Sequence, residues 1–247
     1  MSPVDFATQF VGFNFEESDE PVRGSPRIVR IERDDRQGES SSWVEIVTYY
    51  DETHRVKERR VYRHRDSLAC RELFEYEGDS PQITIRTLDP DGNPVSTRHR
   101  VLGADGEEWL TTNDVGELRE KVTVKRDPEG QVVDVTSYDL HANREIHMTV
   151  GRTGVGELQV TVTFKQNSGT STNVYILVGS DGKARFSYGG ATASNRESAE
   201  IERRSIIQAE DSFGNWTKMA VFERTTANKK ENLIASLTRE ITYYQSH

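Results

Sequence analysis

Six histidines (His54, His64, His99, His141, His147 and His247), one cysteine (Cys70), 41 acidic and 32 basic residues are the groups in this 247-residue chain that could do chemistry. None of the histidines stands at the His-x-x-x-His or His-x-His spacing that puts two imidazoles on one side of a metal ion, so strand-surface positions are expected for all six. Cys70 is followed by Arg71, which is no base for a thiol, and a lone cysteine excludes an intramolecular disulfide. Serine, histidine and aspartate all occur, but no Gly-x-Ser-x-Gly elbow organises them into a hydrolase triad. Asp89-Pro-Asp-Gly-Asn93 has the oxygen-rich start of a calcium loop without the later bidentate glutamate, and reads better as a turn. Gly151-Arg-Thr-Gly-Val-Gly156 is glycine-rich, yet no helix follows to receive a phosphate, so it too reads as a hairpin turn. Asn215-Trp-Thr217 is a formal glycosylation sequon and is taken as incidental. The expectation is therefore no catalytic residue, no cofactor and no metal site.

Three patterns remain. Lys57, Arg59, Arg60, Arg63 and Arg65 form a basic run that divides between the two faces of a strand, which suits a solvated strand pair better than an anion-binding surface. Trp43, Trp109 and Trp216, with nine tyrosines, could line a concave sheet and stack on sugars; packing of the inner face or of a terminal hairpin is the favoured role. Paired carboxylates of a glycoside hydrolase could lie far apart in sequence, so the acidic residues keep an enzyme reading open.

These residues must be carried by something, and the composition says what kind. The apolar share is 34%, or about 38% on the usual definition, below the roughly 45–50% of ordinary domains. A core so thin suits a sheet with one packed face and one wet face. The formal net charge of −9 argues against nucleic acid as a partner, since a backbone-binding surface needs clustered lysine and arginine. No stretch approaches the length of an apolar transmembrane helix, and Met1–Asp5 begins no visible signal peptide. The expected location is secreted, periplasmic or cell-surface if a leader has been removed, and otherwise cytoplasmic. An outer-membrane barrel would share the alternating strands, but many strands here have apolar faces of only two or three residues.

Period-two alternation is the dominant signal. Leu158, Val160, Val162 and Phe164 share one face while Gln159, Thr161, Thr163 and Lys165 share the other, and Ile83/Ile85 and Val122/Val124 repeat the pattern. Helical periodicity is hard to find; its best stretch, 197–209, carries charge all round. Gly92, Gly116, Ala142 and Ser168 are spaced by 24, 26 and 26 residues, as are Gly106, Gly130, Gly156 and Gly182. The two series interleave, so their turns should lie at opposite ends of an up-and-down meander with about nine residues per strand and a height of about 30 Å. The organisation predicted is residues 1–42 as an N-terminal cap and loose segment, with Phe6, Phe10, Phe13 and Phe15 covering a sheet end; 43–188 as regular hairpins; and 189–247 as loops and the last hairpins of the same sheet. Loops are expected at Gly189–Asn195 and Thr225–Asn232, and the final strand pair at Trp216–Arg224 and Ile234–Tyr244.

Asp89–Asn93, Asp139–Asn143 and Asp211–Asn215 share the form Asp-x-x-(Gly or Ala)-Asn. Tyr138 precedes the second, and Thr48-Tyr49-Tyr50-Asp51 opens a further copy in which His54-Arg55 stands for Gly-Asn. With Gly214-Asn215-Trp216-Thr217 and the closing run Arg239–Tyr244, this resembles the YD repeat of Rhs-type bacterial proteins over residues 44–244. The resemblance implies long antiparallel sheets that spiral into shells, some around a toxic C-terminal domain, or surface proteins with adhesive or carbohydrate-contacting roles. The chain is short for encapsulation, and nothing toxin-like follows its last repeat.

The expectation is an all-β protein: a long antiparallel up-and-down meander of repeated hairpins, forming a single curled sheet or an open barrel-like shell. Its expected role is that of a noncatalytic structural or adhesion module facing a protein or cell-envelope carbohydrate partner. The alternative is a glycan-acting enzyme with paired carboxylates in a curled cavity.

Overall fold

The computed structural model describes residues 22–37, 40–64, 67–78, 82–103, 106–129, 132–152, 158–165, 171–178, 183–190, 201–225 and 228–244. These form β1 (Pro26–Gln37), β2 (Ser40–Tyr50), β3 (Val56–His64), β4 (Ser67–Tyr76), β5 (Ile83–Leu88), β6 (Pro94–Gly103), β7 (Gly106–Asn113) and β8 (Leu118–Arg126). The second half continues with β9 (Val132–Asp139), β10 (Arg144–Arg152), β11 (Leu158–Lys165), β12 (Ser171–Val178), β13 (Lys183–Gly190), β14 (Ile201–Glu210), β15 (Trp216–Thr225) and β16 (Asn228–Tyr243). Every strand pairs antiparallel with its chain neighbours, as the alternating pattern and the turn spacing predict. β1 pairs with β2 on one edge and with β16 on the other, so the single curled sheet meets itself as a closed barrel.

Alternation decides which face goes inward. Registered rows cross the sheet on one face: Trp109 opposite Val122, Val122 opposite Ser137, and Ser137 opposite Ile146. The next row runs from Val124 to Val135, Met148 and Val162, all of them essentially inaccessible to solvent. A face buried to this degree is the concave one, and each such side chain contributes about 1.5–3 kcal/mol of hydrophobic stabilisation at most. The convex face alternates with it and is laced with cross-strand ion pairs, Lys121 to Glu108 at 2.7 Å, Lys165 to Glu145 at 2.7 Å and Arg71 to Glu58 at 2.9 Å, and with a hydrogen bond between His147 Nε2 and Asp134 at 2.8 Å. A second cluster, Trp216, Met219, Ala235 and Leu237 with Ile31, packs beneath the seam where β16 meets β1.

The turns follow one design. At Asp51–Arg55, Asp89–Asn93 and Asp211–Asn215 the first residue's N–H donates to the fifth carbonyl, and the fourth N–H donates back to the first carbonyl. The fourth position, His54, Gly92 or Gly214, has φ of 65°, 88° or 76°. This is the three-residue hairpin loop closed by a residue in the left-handed region. The first carboxylate fixes it by accepting from the fifth backbone N–H, at 2.8 Å for Asn93 and 2.9 Å for Asn215. Asn113–Glu117 is a further copy, with the Asn113 side-chain oxygen taking the place of the carboxylate at 2.8 Å from the Glu117 N–H.

Several expectations need correction. Asp139–Asn143 is built differently: its positive φ, 46°, falls on Asn143 and not on Ala142, and Asp139 pairs directly with Arg144. Alanine resists the left-handed region that asparagine tolerates, so the loop gains a residue. The loose segment expected up to residue 42 contains β1 and the start of β2, stabilised by pairing to β16. Asn228–Asn232, expected as loop, belongs to β16, and Gly189 lies within β13; residues 201–209 of the charged helical candidate lie in β14. Phe6, Phe10, Phe13, Phe15, Gly130, Gly156, Ser168 and Gly182 lie outside the described residues.

Candidate functional site

The β14–β15 turn, the end of β16 and the start of β1 meet at one rim of the barrel. Asp211 closes the β14–β15 turn, and the strand that returns as β16 brings Tyr243 over it. The Tyr243 hydroxyl donates to Asp211 Oδ2 and accepts from Asn215 Nδ2 at 2.8 Å. Asn215 also receives the Arg23 N–H on Oδ1 at 2.8 Å and donates from Nδ2 to the Arg23 carbonyl at 3.1 Å. One amide thus ties the chain entering β1 to the hairpin at the far end of the sequence. Gly24 is required for this approach, since a Cβ there would lie 2.9 Å from Tyr243 Cε1. Burial would raise the Asp211 pKa, but the bonds from Tyr243, Asn215 and Phe213 outweigh it and hold the group at about 2. Burial and the bond to Asp211 push Tyr243 up to about 12.

Beside this clamp lies a cavity of about 340 Å³ lined by Arg23, Ile207, Glu210, Gly214, Asn215, Trp216 and Arg239. Its apolar wall depends on a β-bulge. Ile207 faces Met219, Ala209 faces Lys218 and Glu210 faces Trp216, so β14 carries an extra residue at Gln208 and β15 one at Thr217. Strict alternation would place Trp216 opposite to Met219; the bulge turns it inward to pack with Met219, Ala235 and Leu237. The Arg239 guanidinium, buried, sits 4.0 Å from the Trp216 ring centroid in a cation–π contact. Nothing in the spacing of Arg23, Ile207, Glu210 and Arg239 marks them as ligand-facing. Only the Gly-Asn-Trp turn and the Arg239–Tyr244 run marked this corner of the sequence.

The other candidate residues are dispersed. Trp109 is buried beneath Arg100, whose guanidinium is 5.5 Å from its ring, in a different cluster from Trp216; the Trp43 side chain lies outside the described residues. Arg59 and Arg60 fall on opposite faces and are held by Glu72 at 3.3 Å and Glu58 at 2.7 Å. Two inner-face glutamates could have formed a catalytic pair. Glu107 is clasped by Arg100 and by Arg126 at 2.8 Å, whereas Glu120 accepts from Ser137 at 2.9 Å and faces Arg98 at 3.4 Å. Glu120 lies four residues along β8 from Val124, the partner of Glu107, which separates them by about 13 Å and exceeds the spacing used in glycoside hydrolysis. Cys70 is half-buried, and burial followed by the Glu72 charge raises its pKa, which keeps it protonated. Asp89 spends both carboxylate oxygens on Asn93, at 2.8 and 3.0 Å. The amide of the sequon residue Asn215 is buried in the clamp.

A closed antiparallel meander with a packed concave face defines the class. No family model and no curated protein matches the sequence. Among solved structures the fold is similar to that of a porin-like protein from Bacteroides uniformis ATCC 8492, with a TM-score of 0.56 at 12% identity over 88% of this chain and 98% of that one. A chain of the TcdB2-TccC3-Cdc42 complex aligns with a TM-score of 0.28 at 11% identity, over 79% of this chain and 14% of that one. The chain is a β-sheet protein whose fold resembles that of a porin-like protein, and at these identities the likeness is one of fold alone.

Proposed function

We propose that this chain is a noncatalytic β-barrel module, of the surface or cell-envelope kind, that presents its outer wall and one rim to a protein or carbohydrate partner. The observation that carries the reading is the engagement of three inner-face carboxylates in ion pairs and hydrogen bonds within the wall: Glu72 holds Arg59, Glu107 holds Arg100 and Arg126, and Glu120 accepts from Ser137. Both oxygens of Glu107 and of Glu120 are engaged with neighbours in the wall. The recurrence of the Asp-led turn supports an Rhs-like character.

The convex wall is built for water. Lys121, Glu108 and Asp134 occupy strand positions there, where a lipid-facing charge costs about 2–4 kcal/mol for lysine or arginine at the bilayer midplane. With β1 joined to β16, no strand edge remains among the described residues for a peptide to extend, so recognition falls to side chains on the wall and rims. Glycan-array and pull-down screening beside a broad hydrolase panel, on protein purified without detergent, tests the reading. Binding without turnover is expected; hydrolysis without binding, or insolubility in the absence of detergent, would overturn it.

A further inference from the structure

We infer that the rim cavity is a binding site for a small carboxylate carrying its own hydroxyl or ammonium donors, the chemistry shared by a sugar acid and an amino acid. The inference deepens the proposed role and rests on it. The cavity, about 340 Å³, falls at the lower end of the range that holds one small molecule, which excludes a polymer lying wholly within it.

Its walls are chemically divided. Ile207, half exposed, and Trp216 supply an apolar surface. Arg23 and Arg239 supply positive charge, and Glu210 supplies an acceptor that can bond only to donors. Among the described residues, neither the Arg23 guanidinium nor the Glu210 carboxylate holds an ion pair or hydrogen bond, although both border the same cavity. That arrangement contrasts with the convex wall, where Glu58, Glu108 and Glu145 each hold a basic partner.

The Arg23 side chain is also placed. Its backbone is pinned on both sides of the peptide by Asn215, and its Nη1 lies over Gly214, 3.2 Å from where a Cβ would stand. A guanidinium held by its stem beside an open cavity is preorganised for a carboxylate, which it can meet with two parallel N–H bonds. A ligand that brought only an anion would leave Glu210 facing like charge. One that brought only hydroxyls would leave the Arg23 guanidinium unmatched. The cavity therefore asks for both on one small molecule with an apolar face toward Ile207 and Trp216.

Isothermal titration calorimetry of the full chain with glucuronate and with serine, against glucose and acetate, tests this directly. Saturable binding of glucuronate or serine at or below about 1 mM is expected, with the tighter of the two naming the source. Arg23→Gln and Glu210→Gln should each weaken it at least about tenfold while the urea midpoint stays at the wild-type value, because the clamp uses the Arg23 backbone and not its side chain. The inference is overturned if neither compound saturates at about 10 mM, if glucose or acetate binds as tightly, or if either variant binds as wild type. A protein that binds a glycan but keeps that affinity in both variants would sink this site and leave the proposed role standing.

Discussion

Tyr243 and Asp211, 32 residues apart, share a hydrogen bond in which the phenol donates to Asp211 Oδ2, and this pair holds the end of β16 against the β14–β15 turn. Tyr243 also lies over Phe213, their ring centroids 4.5 Å apart. Phenylalanine at 243 keeps the ring contact and deletes the hydroxyl. Tyr243→Phe should therefore lose about 1–2 kcal/mol in urea denaturation, the worth of a partly exposed hydrogen bond to a charged group. A loss below about 0.3 kcal/mol would show that the rings alone close the barrel.

The same pair sets a pH window. Asp211 titrates at about 2 in the fold against an ordinary 3.8, so its contribution is present above about pH 4 and is lost as pH falls toward 2. Tyr243 is displaced the other way, from 10.0 to about 12. Its contribution is present below about pH 10 and is lost as pH rises toward 12. Urea midpoints followed across pH should show both limbs in the wild type, and Tyr243→Phe should lack the alkaline one.

Gly106 stands where the chain enters β7 with φ of 145°, and a Cβ there would fall 2.2 Å from the Val124 carbonyl oxygen. Gly92, with φ of 88°, has open space around it. Gly106→Ala should cost more than about 2 kcal/mol, combining backbone strain with overpacking, whereas Gly92→Ala should cost about 1 kcal/mol from the backbone alone. Equal thermal shifts for the two would contradict the close approach.

Met148 and Thr149 are neighbours on β10 with opposite fates, the first 1% exposed in the inner cluster and the second on the outer wall. Met148→Ala should lose about 2–5 kcal/mol and Thr149→Ala less than about 0.5 kcal/mol. Chemical denaturation of the two reads directly which face of the barrel is packed, and the reverse ranking would invert the barrel.

Glu107, its side chain 4% exposed, holds two guanidiniums at once. Glu107→Gln leaves Arg100 and Arg126 facing each other across a neutral amide, and should cost about 3–5 kcal/mol. Restoration of part of that loss by adding Arg126→Met would confirm that the penalty is stranded charge.

The meander was legible because its signals are local. Alternation assigned Val122, Val124, Val160 and Val162 to the buried face, and Gly92 and Gly116 marked turns that need positive φ. Where a turn departed from glycine, the reading slipped: Ala142 occupies a glycine's place in the spacing but cannot take its conformation, so Asn143 does. Asn113 falls outside the Asp-led motif because it lacks a carboxylate, though its amide oxygen accepts the same bond. The rim cavity was illegible for a different reason. Trp216 points inward only through a one-residue bulge, Arg23 sits in a stretch whose Pro and Gly content reads as loose, and Arg239 joins them from the last strand. Those placements come from barrel closure, which no short window of sequence encodes.

The β1–β16 ladder has a mechanical side. Pro26 is opposite Tyr243 at one end of that ladder and Asp35 is opposite Ala235 at the other. Tension applied between Pro26 and Tyr243 would load the rungs singly and peel the seam like a zipper. Tension applied between Pro26 and Ala235 would load them all together in shear, so the same nine residue pairs should yield at low force in one geometry and resist in the other.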